Sequence, residues 1–274
     1  MTSGLAYAAT PASGEAALES PNIITLLHHY LPGFAVVEFL HHFEDLFFSA
    51  VVIFILALIA RKVSRQSRSI PGRLQNFVEL IVESLDNFVV GVMGPVGRQY
   101  TPFVGTLFLY ILCMNLIGII PAMKSPTSNV NTTIALALTV FVYVQYTGLR
   151  HLGLLGYLDH LAGSPRPQGV IGCLIAMISV PFNLVLHLLG ELTKPMSLAI
   201  RLFGNIFGED VLLGQMLLLG IAALGFMHSP VGIPLQLPFY LLAILTSAIQ
   251  ALVFSLLSTI YIFLMLPHEE GARH

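Results

Sequence analysis

Charge is what this 274-residue chain has least of: 9% of its residues are Asp, Glu, Lys or Arg, 56% are hydrophobic, and the mean hydropathy is +0.85. Soluble domains carry about 25% charged residues, so an ordinary soluble domain is excluded. Cysteine is scarce too. Cys113 and Cys173 both fall inside apolar runs, with no CxxC or metal-type spacing. They read as small packing residues, and neither redox chemistry nor a metal site is expected. No phosphate-cradling GK[ST] loop occurs, which disfavours nucleotide binding on this chain. Residues 1–20, rich in Ala, Ser and Thr, lack the basic start and apolar core of a signal peptide and read as an uncleaved flexible tail. No internal repeat or low-complexity insert is evident, and neither a cofactor nor a nucleic-acid partner is expected.

What is present is apolar sequence in long runs, near 46–62, 103–121, 133–149, 170–189, 211–227 and 238–265. About 20 helical residues cross a hydrocarbon core of roughly 30 Å. A lipid-facing backbone must satisfy its own hydrogen bonds, and no alternating barrel pattern appears, so the expected fold is an all-α membrane protein.

The basic residues set the expected orientation, because short loops rich in Lys and Arg stay in the cytoplasm. Residues 1–43 have none; Arg61, Lys62, Arg65, Arg68 and Arg73 crowd the end of the first run, Arg98 precedes the second, Arg150 and Arg166 lie in a loop 150–168, and Arg273 is near the C-terminus. Only Lys124 falls in an opposite loop. The N-terminus is therefore expected outside and the C-terminus inside, which requires an odd number of crossings. The segment 169–227 is far too long for one upright crossing at about 1.5 Å per residue. Two crossings there would make the total even, so charge favours one long inclined element, bent at Pro181 and Pro195, forming a hairpin with the last run. The expectation is about five membrane-embedded helical elements, divided as a tail 1–43, a membrane domain 44–266 with the hairpin at about 169–266, and a cytoplasmic tail 267–274.

Between the first two spans, Leu74, Phe77, Val78, Ile81, Leu85, Phe88 and Val92 recur at helical spacing, with Glu79, Glu83 and Asp86 opposite. This predicts an amphipathic helix that lies on the membrane surface or covers neighbouring spans. Asn115 is the one amide of its run, and such a group most often bonds a neighbouring helix. Asn129 and Asn131 are further candidates for helix bonding or water-path lining, and Ser128 or Asn129 is the expected cap of the next helix.

The stretch KPMSLAIRLFGNIFGED (194–210) puts Lys194, Arg201, Glu209 and Asp210 among apolar runs. At about 100° per residue, His187, Gly190, Lys194, Ser197, Gly204, Asn205 and Gly208 fall within about 60° of Arg201, a face of polar and small residues. Gly204 and Gly208 form a GxxxG pair, which lets another backbone approach closely. Asp210 is nearly opposite, and Glu191 and Glu209 lie about 80° round. Intramembrane ionisable groups mark an ion pathway or an internal pair. For Arg201 the alternatives are an ion pair with Glu191 or Glu209, or snorkelling; Lys194 is placed to reach the interface. In the last run Gln250 is the only large polar side chain near the middle, among Thr246, Ser247, Ser255, Ser258 and Thr259.

This stretch closely resembles the signature segment of subunit a of the F-type ATP synthases. LYILCMNLIGIIP (109–121), SNVNTTIALAL (128–138) and LTSAIQALVFSLLSTIYI (245–262) support the resemblance, which covers about residues 40–266. It implies a proton-conducting stator subunit in a bacterial inner membrane, with two offset aqueous half-channels against a ring of c subunits. The other implied partners are the peripheral-stalk b subunits, the lipid bilayer and, indirectly, the soluble catalytic head. Such a subunit makes no ATP itself. Arg201 matches the essential arginine between the half-channels, a group that stays protonated and cannot relay a proton. Asn205 and Gln250 match polar positions around it. Asp210 matches the place where relatives often carry glutamate and is the first candidate for a relay carboxylate, with Glu209 second; Glu191 and His187 either line a channel or bond a neighbouring helix. Where some relatives have histidine on the last helix, this chain has Ala243, which excludes a histidine relay there. A sodium-translocating form of the same subunit is the alternative. A secondary transporter is the more distant one, disfavoured by the lack of paired broken helices.

Overall fold

The computed structural model describes Ile24, Leu27 and residues 35–65, 72–120, 123–161, 169–225 and 235–266. Most of the N-terminal tail, the hairpin turn, Arg68, Arg166, Arg273 and the C-terminal tail lie outside these residues. So do the side chains of residues 158–179, Cys173 among them. The described residues form seven helices: α1 (Ala35–His42), α2 (Glu44–Arg65), α3 (Arg73–Met93), α4 (Thr101–Ile119), α5 (Val130–Leu161), α6 (Gly169–Gly225) and α7 (Leu237–Leu264), with short 3-10 turns at Pro95–Gln99 and Pro126–Ser128. No strand occurs among them. Five stretches are long and apolar enough to cross a membrane: Glu44–Arg65, Thr101–Ile119, Val130–Leu154, Val180–Gly220 and Leu237–Leu264. Their outer faces remain apolar, as at Phe54, Val142 and Leu241, which suits a lipid solvent.

The length of α6 is decisive for the element count. Pro181 and Pro195 both sit inside this 57-residue helix, which continues through them. At 1.5 Å per residue it is about 85 Å long, nearly three times the hydrocarbon thickness, so it cannot stand upright in a bilayer. The segment is thus one element, as the charge pattern predicts. At α5 the structure differs from the sequence reading. Helix continues into the expected loop as far as Leu161, interrupted at Gly153, whose φ of 69° is the left-handed conformation that glycine adopts without strain. Beyond the break, Tyr157 donates its hydroxyl to Gln145 Oε1 at 2.6 Å, which ties the last turns of α5 back to the span.

The chain divides into two compact units. The first comprises residues 1–67, 109–129 and 203–251. Its core holds Phe48, Val52, Ile111, Met114, Ile117 and Ile206, with a polar seam beside them. Asn115 Oδ1 accepts from Thr127 Oγ1 at 2.7 Å, and Ser125 Oγ donates to the Met114 carbonyl at 3.0 Å. Asn115 Nδ2 makes a longer contact, 3.5 Å, with the Ser247 carbonyl. Its amide therefore bonds its neighbours, as expected for a lone amide in a span. Lys124 Nζ lies 2.8 Å from Glu44 Oε1 and 3.8 Å from Asp45 Oδ1, in the first turn of α2, where carboxylates also suit the helix dipole. Asn129, the residue just before α5, donates its side-chain amide to Asp45.

The second unit comprises residues 68–108, 130–202 and 252–274. Here α3 is two-faced: Leu85, Val89 and Met93 are buried, while Leu74, Phe77 and Leu80 are exposed. Gly94, with φ of 72°, closes α3 by donating its N–H to the Val90 carbonyl. Asp86 then ties α3 to the start of α4, accepting from Thr101 Oγ1 at 2.8 Å and from Arg98 Nε at 3.1 Å. The Thr101 hydroxyl first, and the Arg98 guanidinium behind it, hold the Asp86 carboxyl below the usual carboxylate range. This tie is present at neutral pH and is lost as pH falls through that lowered value. The stacked rings of Phe103 and Tyr143, 3.8 Å between centroids, and a 3.1 Å hydrogen bond between Tyr100 and His151 join α4 to α5.

At Gly118 in the first unit the chain passes so close that a Cβ would lie 2.6 Å from Ser125 Cβ and 3.1 Å from Ser125 N. Gly118→Ala should destabilise the packing by about 1–3 kcal/mol, the usual cost of overpacking. A lower midpoint of thermal unfolding for the detergent-solubilised protein would confirm it; an unchanged midpoint would contradict it.

Candidate functional site

Four polar residues of the first unit, Asn205, Glu209, Thr246 and Gln250, converge between α6 and α7. Phe203–Gly225 and Leu237–Ala251 carry mostly large apolar side chains, but Gly208 and Ala243 are small, and a cavity of about 290 Å³ opens beside them. Asn205, Glu209, Thr246 and Gln250 supply its polar groups, and Leu212, Leu213, Phe239, Leu242 and Ile249 supply apolar wall. Asp210 does not line it. Glu209 is half-buried and accepts from Thr246 Oγ1 at 2.7 Å. The carbonyls of Leu242 and Ala243 lie 3.0 and 3.1 Å from the same hydroxyl, so its single proton has alternative acceptors. Asn205 donates its amide to Gln250 Oε1. Gln250 is 3% exposed, and its Nε2 has no partner among the described residues. A buried donor and a carboxylate beside so roomy a space are the conditions under which cavities hold water.

The second unit holds the other charged residues. Glu191 is buried, accepting from Lys194 Nζ on one oxygen and from Gln145 Nε2 at 2.9 Å on the other. Lys194 Nζ also lies 5.5 Å from the centre of the Tyr261 ring. Glu191 is thus the partner of Lys194 rather than of Arg201. Arg201 is exposed, and its guanidinium makes no hydrogen bond or ion pair among the described residues. His187 is exposed. Gly190 in this unit, and Gly204 and Gly208 in the first, are exposed, and a Cβ added at any of them meets no atom within 4 Å.

His187, Glu191, Arg201, Asn205, Glu209, Asp210 and Gln250 all lie on α6 or α7, but three contributors carry no mark of a site residue in the sequence. Thr246 was one hydroxyl among several in its run. Gln145 is the one amide of the run 133–149, a signal of the same kind as Asn115. Tyr157 lay in a segment expected to be loop. No group of His, Cys, Asp and Glu able to hold a metal occurs among the described residues.

The family model described as ATP synthase A chain matches residues 46–263. The chain belongs to that family. Proteins called ATP synthase subunit a are similar over most of its length. That of Protochlamydia amoebophila is 42% identical over 93% of this chain and 92% of its own. That of Solidesulfovibrio magneticus is 40% identical over 81% and 82%, and that of Oleidesulfovibrio alaskensis 37% identical over 88% and 92%. With its five apolar helices, the chain is an integral membrane protein.

Water in the cavity is directly testable. In a background lacking Cys113 and Cys173, a cysteine replacing Leu213, on the cavity wall, should react with a charged, membrane-impermeant thiol reagent at least about tenfold faster than one replacing the exposed Leu241, since the thiolate forms only where water reaches. Equal rates would mean a dry cavity.

Proposed function

We propose that this chain is the proton-translocating stator subunit of an F-type ATP synthase in a bacterial inner membrane, with its N-terminus outside and its C-terminus in the cytoplasm. It works against a ring of c subunits, is held by the peripheral-stalk b subunits, and makes no ATP itself. Two offset half-channels reach the ring from opposite sides, and Arg201 separates them.

The observation that carries this reading is the exposed, unpartnered Arg201 on a helix that must lie within the bilayer. A guanidinium at that depth costs from a few to more than ten kcal/mol unless an anion answers it. Among the described residues none does, and in this reading a carboxylate on a c subunit supplies it. By helical spacing Gly204 and Gly208 share the arginine's face, and their open surroundings let a partner helix come close. Arg201 draws the ring carboxylate into its ionised form on one side and blocks a direct leak between the half-channels, since guanidinium does not give up its proton.

Glu209, on the cavity wall with Thr246, is the favoured proton carrier of the half-channel on the non-cytoplasmic side; Asn205 and Gln250 line the water path. Asp210, in register with the glutamate of relatives, is the second carrier. His187, exposed on α6, stands on the approach from the other side.

Arg201→Ala should abolish ATP-driven acidification of inverted vesicles while the detached soluble head hydrolyses ATP normally; undiminished coupled pumping would refute the assignment. In vesicles stripped of the head, Glu209→Gln should cut passive proton conduction at least severalfold more than Asp210→Asn, on the scale of about 10²–10⁴ for a positioned proton-transfer group. The reverse order would transfer the relay to Asp210, and conduction carried by Na⁺ at fixed pH would make the sodium form correct.

A further inference from the structure

Lys194 stands seven residues before Arg201, two turns or about 10 Å along α6, and within about 20° of the same face. Both are cations, yet their surroundings differ. Arg201 has no ion-pair partner among the described residues, whereas Lys194 is tied to Glu191 one turn earlier and rests over Tyr261 of α7. Glu191 is itself held from α5: Gln145 Nε2 donates to its second oxygen at 2.9 Å, and Tyr157 donates to Gln145 Oε1 at 2.6 Å. Tyr157 and Tyr261 are the titratable groups that face it from α5 and α7.

The space around this set is too tight for a proton path. The void lined by Glu191, Lys194, Pro195, Leu198 and Tyr261 is about 10 Å³, at or below the room one water needs. Glu191 is buried, and both its oxygens are already engaged. A carboxylate so placed neutralises its neighbour rather than exchanging protons with solvent.

We infer that Glu191 is a positioning residue that silences the charge of Lys194, so that Arg201 alone presents an unanswered cation to the partner's carboxylate. Gln145 and Tyr157 hold Glu191 in the orientation that keeps Lys194 occupied, and the Tyr261 ring holds the ammonium from the other side. This inference rests on the stator reading of Arg201. A second live cation two turns away would hold the partner's carboxylate ionised over a longer arc and delay its reprotonation.

The test uses the assembled synthase in inverted vesicles, with three variants: E191Q, E191Q/K194M and R201A. E191Q leaves shape intact and frees the lysine charge, and should lower ATP-driven pumping about threefold or more. It should also move the pH profile of modification by a hydrophobic carbodiimide, which attacks protonated carboxyl groups, to lower pH by about one unit, because an added cation about 10 Å away favours the ionised form. E191Q/K194M removes both charges and should return pumping and profile toward wild type. A merely structural role for Glu191 would not move the profile. A double variant as impaired as E191Q would overturn the inference and make Glu191 a proton carrier, and undiminished pumping in E191Q would overturn it outright. If E191Q does not accumulate in the membrane, the double variant decides: near wild-type pumping supports silencing, and its loss refutes it. R201A separates the two claims. If it abolishes pumping while E191Q changes nothing, only this inference fails; if R201A still pumps, both fall.

Discussion

An unneutralised charge in a hydrocarbon environment is so costly that it bears on where the described cations of this protein sit. Arg61, Lys62 and Arg65 are exposed at the end of α2, where long side chains reach water. Lys124 lies against Glu44 and Asp45, and Lys194 against Glu191. Such pairs add little net stability, because desolvation offsets most of the attraction, but removing one partner strands the other. Against this background Arg201, exposed and without an ion-pair partner among the described residues, is the exception.

Much of the fold was legible because membrane proteins obey few rules strictly. Apolar run length located the spans, and the distribution of twelve Lys and Arg residues demanded an odd number of crossings, which turned residues 169–227 into one element. The helix through Pro181 and Pro195 is that element. The end of α5 was less legible. Arg150, Gly153 and Arg166 read as loop, yet helix resumes after the Gly153 break because Tyr157 finds Gln145, a contact twelve residues back. Local composition carries no sign of such a bond.

The site was legible in its parts and not in their pairing. Helical angles put Glu191 and Glu209 at similar offsets from Arg201, and both were open as its partner. Neither takes that place: Glu191 meets Lys194 and Gln145, and Glu209 meets Thr246. Which acid meets which base depends on side chains from α5 and α7, and one helix's periodicity does not contain them. The cavity is the same kind of feature. It exists because small residues coincide at Gly208 and Ala243 on two helices, and the sequence shows Ala243 only as a missing histidine.

Ala243 bears on the reading of Glu209 as a proton carrier, since no imidazole stands at that position. A carboxylate that gains and loses a proton inside a membrane must be hydrogen-bonded in both states, or one state becomes prohibitively costly. Thr246 meets this need with one rotor. With Glu209 ionised, the hydroxyl donates to it at 2.7 Å. With Glu209 protonated, the hydroxyl oxygen can accept the acid's proton while its own hydrogen turns to the carbonyl of Leu242 or Ala243, at 3.0 and 3.1 Å. A valine at that position would leave the same shape and serve neither state. The pairing of carboxylate and hydroxyl can therefore satisfy Glu209 in either protonation state, and the small side chain of Ala243 leaves room for the cavity beside it.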